Sequence, residues 1–583
     1  MGKIDKLADA KVRLADYYLE VVSRAVENDQ AFHLDSDWLQ IRALLEYGKV
    51  HFGSLVGKMA TYWQSRAMFQ ELISWSEQAV EVYRASGEFV RQNVHLSNLG
   101  IAYREIGQPE TAHRYLQEAL SMSINIPWLE SNVSNYLGLA CLDLGQTDLA
   151  INHFERALTL ARKIDMKVGI RDTLGNLGLL YYETNELDKA MEYSQQALAL
   201  AREMGNQRTI SMALGNIGSC YRDLGQPETA VSYYQETLAI ARQIGDLPLE
   251  GKTSENLGLT YTQLGQATET IAFYERALEI AQLMKHRRDE GDNLYNLGDA
   301  HQTIGKLETA VAYFQEALII WRELSEKRGE AITLSHLGDI YRDSSRFDLA
   351  ITHYQESLAV AQEIGYQKGQ MARLADLGFV YRRLNQLEEA LALSEEALAL
   401  ARETNDAQNE AIILGQLGAI YFLQEQIERA IMYYQEAREV SRDIGDISHE
   451  VIWLNNLGRA YYESQQWETA VDYYLHATQA YNAMGDSFQQ ADKLRQVALA
   501  YQQMGQAQQA IDYYEQALSV AQSSHNQQVE IDSSGSLGLL YRALGQTEKA
   551  RHYLQRVYSL LEPLGMPQAE AVKQLLDETE ASD

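Results

Sequence analysis

The sequence of 583 residues is short of three features that would indicate other classes of protein: cysteine, proline and long apolar runs. It contains only 2 cysteines and 6 prolines. So few cysteines exclude a disulfide framework, and so few prolines argue against an all-β fold with many turns. No run approaches the roughly 18 apolar residues that span a bilayer. We therefore expect no membrane partner.

Basic residues are also in deficit, because 50 Lys and Arg stand against 81 Asp and Glu and give a formal net charge of −31. Binding to nucleic acid relies on Lys and Arg that neutralise phosphates, and this surface would oppose it. The composition therefore predicts no nucleic-acid partner and favours a neutral or basic protein segment. Net negative charge also serves solubility alone, and that explanation stays open.

Signals for secretion or lipid attachment are missing at the N-terminus. Residues 1–18 carry a charge every few positions and contain no apolar stretch, so we expect no secretion signal. N-myristoylation of Gly2 would require Ser or Thr at position 6, where Lys6 stands. The chain is therefore predicted to be cytoplasmic.

Motifs of catalysis and metal binding are missing as well. No H-E-x-x-H, paired C-x-x-C or G-x-S-x-G pattern occurs, so we predict no catalytic residue, no metal site and no cofactor. GDLPLEGKT at 245–253 resembles a phosphate-binding loop, but five residues separate its glycines where the motif has four. It also lies between two predicted helices and follows no strand. An enzyme is the least favoured class.

What the sequence does contain is a repeat. A glycine after an apolar residue recurs every 40 residues, following a first interval of 38. Tyrosine stands three residues after most of these glycines and alanine twelve residues after them, which assigns the column tyrosines to helix packing. Residue columns that recur together at one fixed interval indicate copies of one structural unit. The column comprises Gly100, Gly138, Gly178, Gly218, Gly258, Gly298, Gly338, Gly378, Gly418, Gly458, Ala498 and Gly538.

Each copy is predicted to be a pair of antiparallel helices. Apolar residues recur at helical spacing in 209–223 and again in 228–245. Between these segments, Gly225 can take the left-handed conformation that ends a helix, and Pro227 is tolerated in the first turn of the next. Small Gly218 lets the two helices approach closely. Because one pair cannot bury its apolar face alone, neighbouring pairs must stack, which predicts an all-α solenoid.

The repeat pattern also divides the chain into segments. Helices are predicted at 11–28 and 37–49, upstream of the repeats. The C-terminal residues predict a helix with one charged side, which suits the cap that an open-ended stack requires. The predicted segments are an N-terminal helical cap (1–50), a degenerate helix pair (51–92), twelve repeats (93–563) and a C-terminal capping helix (564–583).

The pattern L-x-x-[LI]-G-x-x-Y…G-x-x-x-x-A-x-x-[YF][YF]-x-x-A over residues 93–560 resembles the tetratricopeptide repeat. The 40-residue period, with A-I-A-R-x-I-G-D at 239–246, is similar to the longer subtype of Pins/LGN-type scaffolds and kinesin light chains. This resemblance implies a right-handed superhelical solenoid of antiparallel helix pairs. It also implies that the first helices line a concave face that binds protein or peptide.

A second resemblance concerns residues 1–85. The segments LADYYLE, DWLQIRALLEY and YWQSRAMFQELISWSEQAVE resemble the region that joins the winged-helix and repeat parts of bacterial signal-transduction ATPases of the STAND class. It implies an alternative function, a regulatory sensor in a bacterium that controls a separately encoded effector. A peptide-receptor-like sensor is a weaker version, since such proteins usually carry an N-terminal helix-turn-helix and residues 1–50 show no basic recognition helix.

Candidate binding residues lie on the predicted concave face. Asparagine recurs two residues before the glycine, and its amide both donates and accepts, which suits an extended peptide backbone. Arginine recurs four residues after the glycine and can hold carboxylates. Aspartates in the same region favour a basic segment. The predicted peptide-binding residues are Asn176, Asn216, Asn256, Asn296, Arg222, Arg342, Arg382, Asp299 and Asp339.

Two alternatives accompany this site prediction. The asparagines can instead bond only between adjacent helices, and neighbouring acids such as Asp223 and Asp343 can satisfy the arginines within the protein. In related grooves the matching Asn and Arg positions contact peptides, so the resemblance implies the same here. The leading hypothesis is a scaffold or adaptor whose groove clamps an extended segment of a partner. The sequence gives no oligomeric state.

Overall fold

The computed structural model describes residues 13–14, 16–22, 24, 41, 52–65 and 68–580. Residues 52–580 contain 27 α-helices, a short 3₁₀ helix at Glu562–Leu564 and, as far as they are described, no strand, so the all-α prediction is confirmed. The helices are α1 Phe52–Ser65, α2 Phe69–Ser86, α3 Phe89–Glu105, α4 Pro109–Ser123, α5 Pro127–Asp143, α6 Thr147–Lys163, α7 Lys167–Glu183, α8 Leu187–Met204, α9 Gln207–Asp223, α10 Pro227–Ile244, α11 Leu247–Gln263, α12 Ala267–Met284, α13 Arg287–Thr303, α14 Leu307–Leu324, α15 Lys327–Asp343, α16 Phe347–Glu363, α17 Gln367–Arg383, α18 Leu387–Glu403, α19 Ala407–Leu423, α20 Ile427–Asp443, α21 Ile447–Glu463, α22 Trp467–Ala483, α23 Ser487–Gln503, α24 Ala507–Ser523, α25 Gln527–Ala543, α26 Thr547–Leu561 and α27 Gln568–Glu580.

The two ends of the chain are described to different extents. Of the helix predicted at 11–28, residues 13–14, 16–22 and 24 are described and helical. The helix predicted at 37–49 lies outside the described residues apart from Ile41. At the other end, α27 falls within the segment for which a capping helix was predicted. None of the described helices combines the length and apolar character that crossing a membrane requires.

Within a repeat, the two helices are joined by a short turn that the sequence explains. Between α9 and α10, Gly225 has a φ of +73°, which a residue without a Cβ adopts at no steric cost. The N–H of Gln226 then donates to the carbonyl oxygen of Tyr221 at 2.9 Å, which satisfies one of the last carbonyls of α9. Pro227 occupies the first turn of α10, where its missing N–H costs nothing. The predicted turn is confirmed.

The turn from one repeat to the next is often closed by a side-chain cap. Asp246 precedes α11, and its carboxylate accepts a hydrogen bond from the N–H of Leu249 at 3.2 Å. The loop-like segment 245–253 is therefore a capped helix start, and the Lys252 ammonium pairs with Glu255 at 3.0 Å inside α11. Equivalent caps are Asn206, Asp406, Asp446, Asp486 and Asn526.

The glycine column makes room for the residue sixteen positions later. A Cβ on Gly218 would lie 3.0 Å from Cε1 of Tyr234, and one on Gly338 would lie 2.5 Å from Cε1 of Tyr354. Both tyrosines are completely buried. The predicted close approach of the two helices is confirmed, and its purpose is to seat a ring of the second helix against the first. In the eleventh repeat, Ala498 occupies the column and is itself buried.

The column tyrosines form stacked pairs between the two helices of a repeat. Tyr221 stacks on Tyr233 with ring centroids 5.4 Å apart, and other repeats show the same arrangement. The hydroxyl of Tyr261 accepts a hydrogen bond from Gln235 of the preceding repeat at 3.4 Å, so the rings also connect repeats. These contacts confirm the prediction that the column tyrosines pack helices.

A column of buried or half-buried glutamates, which sequence reasoning missed, forms ion pairs on the first helices. Glu250 on α11 is only 5% exposed, and it accepts hydrogen bonds from Arg242 at 2.9 Å and from Arg276 at 3.0 Å. Glutamate stands eight residues before the column glycine in several repeats and meets a cation in each. The other members are Glu130, Glu290, Glu330, Glu410, Glu450 and Glu530.

The chain separates into an N-terminal unit, Met1–Ser325, and a C-terminal unit, Glu326–Asp583. In each unit the two helices of a repeat pack closely, and the second helix packs on the first helix of the next repeat. First helices of adjacent repeats also contact one another directly, as α7 does with α5 and α9 in the N-terminal unit and α17 does with α15 and α19 in the C-terminal unit. We call the row of first helices in each unit the inner row; the predicted binding residues lie on it.

Candidate binding groove

The predicted asparagines form what we call the amide stripe: Asn176, Asn216, Asn256 and Asn296, on α7, α9, α11 and α13. The side chain of Asn176 donates a hydrogen bond to the Asn135 amide oxygen at 3.0 Å, so it bonds to the neighbouring helix. The other three are half-buried and form no side-chain hydrogen bond with any other described residue. Three amides on successive first helices therefore keep donors and acceptors free.

Residues one turn away from each asparagine change in character along the N-terminal unit. Met212 and Leu259 beside the stripe are 50% and 42% exposed, which gives the face apolar patches near Asn216 and Asn256. Near Asn296 the flanking positions are Asp292 and Asp299 instead. Neither carboxylate forms an ion pair with another residue that the structure describes. The stripe thus runs from an apolar to an acidic setting.

The acidic end of the stripe has a distinct electrostatic setting. Burial raises the pKa of Asp292 to about 6, and the nearby negative charge of Glu255 adds to the shift. Burial disfavours the charged form of a carboxyl group because the ion loses hydration, and a like charge acts in the same direction. Asp292 therefore changes its charge in a range of pH where an ordinary aspartate stays ionised.

A cavity of about 320 Å³ adjoins the stripe within the N-terminal unit. Lys252, one turn before Asn256, lines it together with Glu255 and Asp289. Phe69 and Glu105, on α2 and α3, line it from another side. Its wall therefore combines charges of both signs with apolar surface, the composition expected of a recess that takes a side chain.

Arg222 is held by partners inside the protein. Its Nε donates to Asp223 at 2.8 Å and its Nη2 donates to the Tyr182 hydroxyl at 2.6 Å, while that hydroxyl donates to Asp223 at 2.6 Å. Although burial raises the pKa of Asp223, hydrogen bonds from Arg222 and Tyr182 lower it below its usual value. The three side chains join α7 to α9, and Arg222 is only 8% exposed.

Arg342 in the C-terminal unit is enclosed by carboxylates. It lies 2.9 Å from Asp339, 2.9 Å from Asp343 and 3.5 Å from Asp376. Asp376 also pairs with Arg373 at 2.7 Å. Asp339, Asp343 and Asp376 are therefore engaged in ion pairs within the protein, whereas Asp292 and Asp299 of the N-terminal unit form no ion pair with a described residue.

Arg382 stands in the same column as Arg342 but has no acidic partner among the residues that the structure describes. Its Nε is buried without a hydrogen bond. The guanidinium lies over the ring of Phe379, with 5.1 Å between Cζ and the ring centroid. Burial lowers the pKa of this guanidinium, in keeping with a cation that has lost hydration without gaining a counter-ion.

Sequence reasoning missed that Arg382 lacks the acids that surround Arg342. Those acids belong to columns where residue type varies between copies, and a search for shared residues passes over such positions. The signal was nevertheless present, since the offsets that hold three acids around Arg342 hold none around Arg382.

The residues described contain no group of three or more His, Cys, Asp and Glu side chains placed to hold a metal ion. Cys141 and Cys220 are buried and free, and burial raises the pKa of both thiols, to about 11 for Cys220. A thiol in that state is a poor nucleophile at neutral pH.

Several solved structures are similar to this chain. The structure of a signal-transduction ATPase with numerous domains and a tetratricopeptide repeat sensor, from Pyrococcus horikoshii, is 14% identical with a TM-score of 0.48, covering 91% of this chain and 90% of that one. The apo form of the quorum sensor NprR from B. thuringiensis is 17% identical with a TM-score of 0.43, covering 58% and 99%. A Rap protein complexed with competence and sporulation factor is 15% identical with a TM-score of 0.41, covering 60% and 99%.

A search of curated proteins yields no match. Family models described as tetratricopeptide repeat match most of the chain, beginning at residue 94 and reaching residue 562. The matched segments are 94–126, 129–203, 209–282, 289–363, 370–443, 409–483 and 489–562. They cover the same helix pairs whose glycine, tyrosine and alanine columns pack as described above. The chain belongs to the tetratricopeptide repeat family.

Proposed function

We propose that this protein is a scaffold or adaptor that holds an extended segment of a protein partner along the inner row of its N-terminal unit. The observation that carries the proposal is the set of three amides, Asn216, Asn256 and Asn296, whose hydrogen-bonding groups stay free on successive helices. A free amide on a solvent-lined face offers both a donor and an acceptor to a peptide backbone. Tetratricopeptide stacks use such extended surfaces for binding.

The spacing of the stripe fits an extended chain. Neighbouring packed helices lie about 8–10 Å apart. An extended peptide advances about 3.3 Å per residue, so each asparagine would meet roughly every third residue of the segment. Apolar side chains of the partner would lie against Met212 and Leu259, which are exposed beside the stripe. A basic residue would lie near Asp292 and Asp299.

The paired arginines have a different role in this proposal. Arg222 joins α9 to α7 through its hydrogen bond to Tyr182, and Arg342 joins α15 to α17 through its ion pair with Asp376, so their donors are engaged before any partner arrives. Asp339 pairs with Arg342 within α15. A groove fixed by such contacts loses little conformational entropy on binding, which favours affinity.

Replacing Asn216, Asn256 and Asn296 together by alanine tests the proposal. Partners captured by the full-length chain would first be mapped to a binding segment, and that segment would be titrated as a labelled peptide by fluorescence anisotropy. With about 1 kcal/mol per lost hydrogen bond, we expect the Kd to rise at least about 20-fold.

The matched control is Asn456→Ala, which removes an asparagine of the same column in the C-terminal unit. We expect this variant to bind the peptide as the unaltered chain does, and circular dichroism should show equal helix content in both variants. An unchanged Kd for the triple variant would refute the role of the stripe.

Binding of a basic segment is expected to depend on pH. Burial and Glu255 raise the pKa of Asp292 to about 6, so this carboxyl group loses its negative charge as pH falls through about 6. The affinity for a peptide with a lysine at the acidic end should therefore decline between pH 7 and pH 5, and Asp292→Asn should remove most of the decline. Titration of lysine and norleucine versions of one peptide measures the effect, and equal pH profiles would contradict it.

A further inference from the structure

The cavity of about 320 Å³ in the N-terminal unit is lined by two groups of helices that lie far apart in the sequence. One group comprises α11, α12 and α13, with Arg208 of α9 beside them. The other group contributes Gln64 of α1, Phe69 of α2 and Ile101 of α3. Sites for small molecules usually have volumes of about 300–1,000 Å³. The cavity therefore has the size of a site for a small ligand.

Asn293 on α13 brings a free hydrogen-bond acceptor to this cavity. The residue lines the cavity and is only 2% exposed. Its Nδ2 donates to the carbonyl oxygen of Asp289 at 2.8 Å, which fixes the orientation of the amide because a carbonyl oxygen only accepts. The amide oxygen Oδ1 is buried and forms no hydrogen bond with a described residue. Native proteins retain few buried polar atoms without a partner, and this one belongs to a residue that lines a cavity.

The matching position in other repeats shows that the fold does not require an amide there. Ala213 and Ile413, which also stand five residues before the column glycine, are buried and apolar. A hydroxyl at this position can bond to the carbonyl group four residues earlier, as Thr253 does to Leu249 at 2.7 Å. Asn293 donates to the same kind of carbonyl group but keeps its oxygen free. Packing of the repeat therefore does not explain the choice of asparagine.

The charged groups that line the cavity already have partners of opposite charge. Lys252 lies 3.0 Å from Glu255, and His286 lies 2.9 Å from Asp289. The remaining pairs are Glu105 with Arg104 and Arg208 with Asp246. A charged ligand would meet no unpaired counter-ion among the described lining residues, and burial of its charge would cost free energy. These pairs therefore favour an uncharged ligand.

Apolar side chains supply much of the remaining lining, among them Phe69, Ile101, Ile280 and Met284. The thioether of methionine makes favourable contacts with aromatic rings. A phenylalanine ring also packs well against the edge or the offset face of another ring. An aromatic ligand would gain these contacts in addition to the burial of its apolar surface.

We propose that this cavity binds a small, uncharged aromatic molecule that carries one N–H or O–H donor, of the size of an indole or a phenol. Its donor bonds to the Oδ1 of Asn293, and its ring lies among Phe69, Ile280 and Met284. No asparagine of the amide stripe lines the cavity. The inference therefore goes beyond the proposed function and does not depend on it.

Two isomeric probes test the hydrogen bond: 3-methylindole, which has an N–H, and 1-methylindole, which lacks one. Isothermal titration calorimetry and saturation-transfer NMR on the full-length chain should show saturable binding, with 3-methylindole about fivefold tighter. Asn293→Leu keeps the approximate volume and removes the acceptor, so the two probes should then bind with about equal affinity. The matched control is Thr253→Val, which removes a polar atom in the same column outside the cavity and should leave the ratio unchanged.

Ile101→Trp tests the location of the site. Ile101 is half-buried on α3, and an indole at this position would occupy the cavity, so binding of 3-methylindole should weaken at least about tenfold. The matched control is Leu539→Trp, which makes a similar change one residue after the column glycine in the C-terminal unit. Leu539 is 51% exposed, so this variant should bind as the unaltered chain does. Circular dichroism and thermal melting of each variant ensure that lost binding does not reflect lost folding.

Equal affinity of the unaltered chain for the two isomers, no saturable binding of 3-methylindole, or unchanged binding in Ile101→Trp would each overturn the proposal. N-acetyltryptophan amide distinguishes a free molecule from a partner's side chain, because it carries the ring of 3-methylindole on a peptide backbone. If this probe binds more tightly than 3-methylindole, the assignment to a free small molecule is wrong.

The amide stripe provides the means to separate this proposal from the proposed function. The triple variant of Asn216, Asn256 and Asn296 should bind 3-methylindole as the unaltered chain does, although it should lose the partner segment. If partner binding depends on the stripe but 3-methylindole does not bind, the small-molecule site is refuted and the proposed function stands. If 3-methylindole binds with the expected ratio but the stripe has no effect on the partner, the opposite conclusion holds.

Discussion

Arg382→Met is expected to stabilise the C-terminal unit, whereas Arg342→Met, a change of the same chemistry in the same column, is expected to destabilise it. Methionine keeps the length of the apolar stem and removes the charge. At position 382 it removes a buried donor without a partner, which should raise the local free energy of unfolding by about 1 kcal/mol. At position 342 it leaves Asp339 without its cation and Asp376 with Arg373 alone, which should cost about 2 kcal/mol.

Amide hydrogen exchange followed by mass spectrometry measures both effects locally, which suits a stack that need not unfold in one step. Peptides from α15 and α17 should exchange more slowly in Arg382→Met and faster in Arg342→Met. If both variants changed the exchange rates in the same direction, the ion pairs of Arg342 would not explain the difference between the two sites.

Gly415→Ala should destabilise the packing of α19 on α21. A Cβ at this position would overlap Cη2 and Cζ3 of Trp453. The indole cannot easily move away, because it is buried and its N–H donates to the Ser441 hydroxyl at 3.0 Å. Overpacking of this kind costs about 1–3 kcal/mol, and hydrogen exchange in α19 and α21 should accelerate accordingly.

Gly535→Ala is the matched control for this change. Gly535 occupies the same position in its repeat, three residues before the column glycine, and a Cβ there would meet nothing within 4 Å. Alanine is a better helix former than glycine, so this variant should gain about 0.5–1 kcal/mol. If both substitutions shifted the exchange rates in the same direction, the contact with Trp453 would not be the cause.

The fold was predictable from the sequence because its determinants recur. Gly218, Tyr221 and Gly225 act through contacts inside one helix pair, and the same short-range arrangement is repeated in each copy. The turn at Gly225 needs only a positive φ, which glycine supplies. Stacking then follows from the apolar faces, so neither long-range pairing nor a special loop had to be deduced.

The site was less predictable because its chemistry depends on differences between copies. Arg222, Arg342 and Arg382 occupy one column, but the partner of Arg222 is Tyr182 from the preceding repeat and the acids around Arg342 lie on two helices. Only the register between neighbouring helices determines which side chains meet. Reading the offsets of Arg342 onto Arg382 would have exposed the missing acids.

The contacts between first helices of adjacent repeats give each unit a mechanical property. A bend or twist of the stack can be shared among many small rotations at successive interfaces, so that no interface needs to break. Each unit can therefore bend elastically, and a segment bound along it can change how far it bends. A ligand that contacts several first helices at once would restrict the rotations between the repeats that it covers.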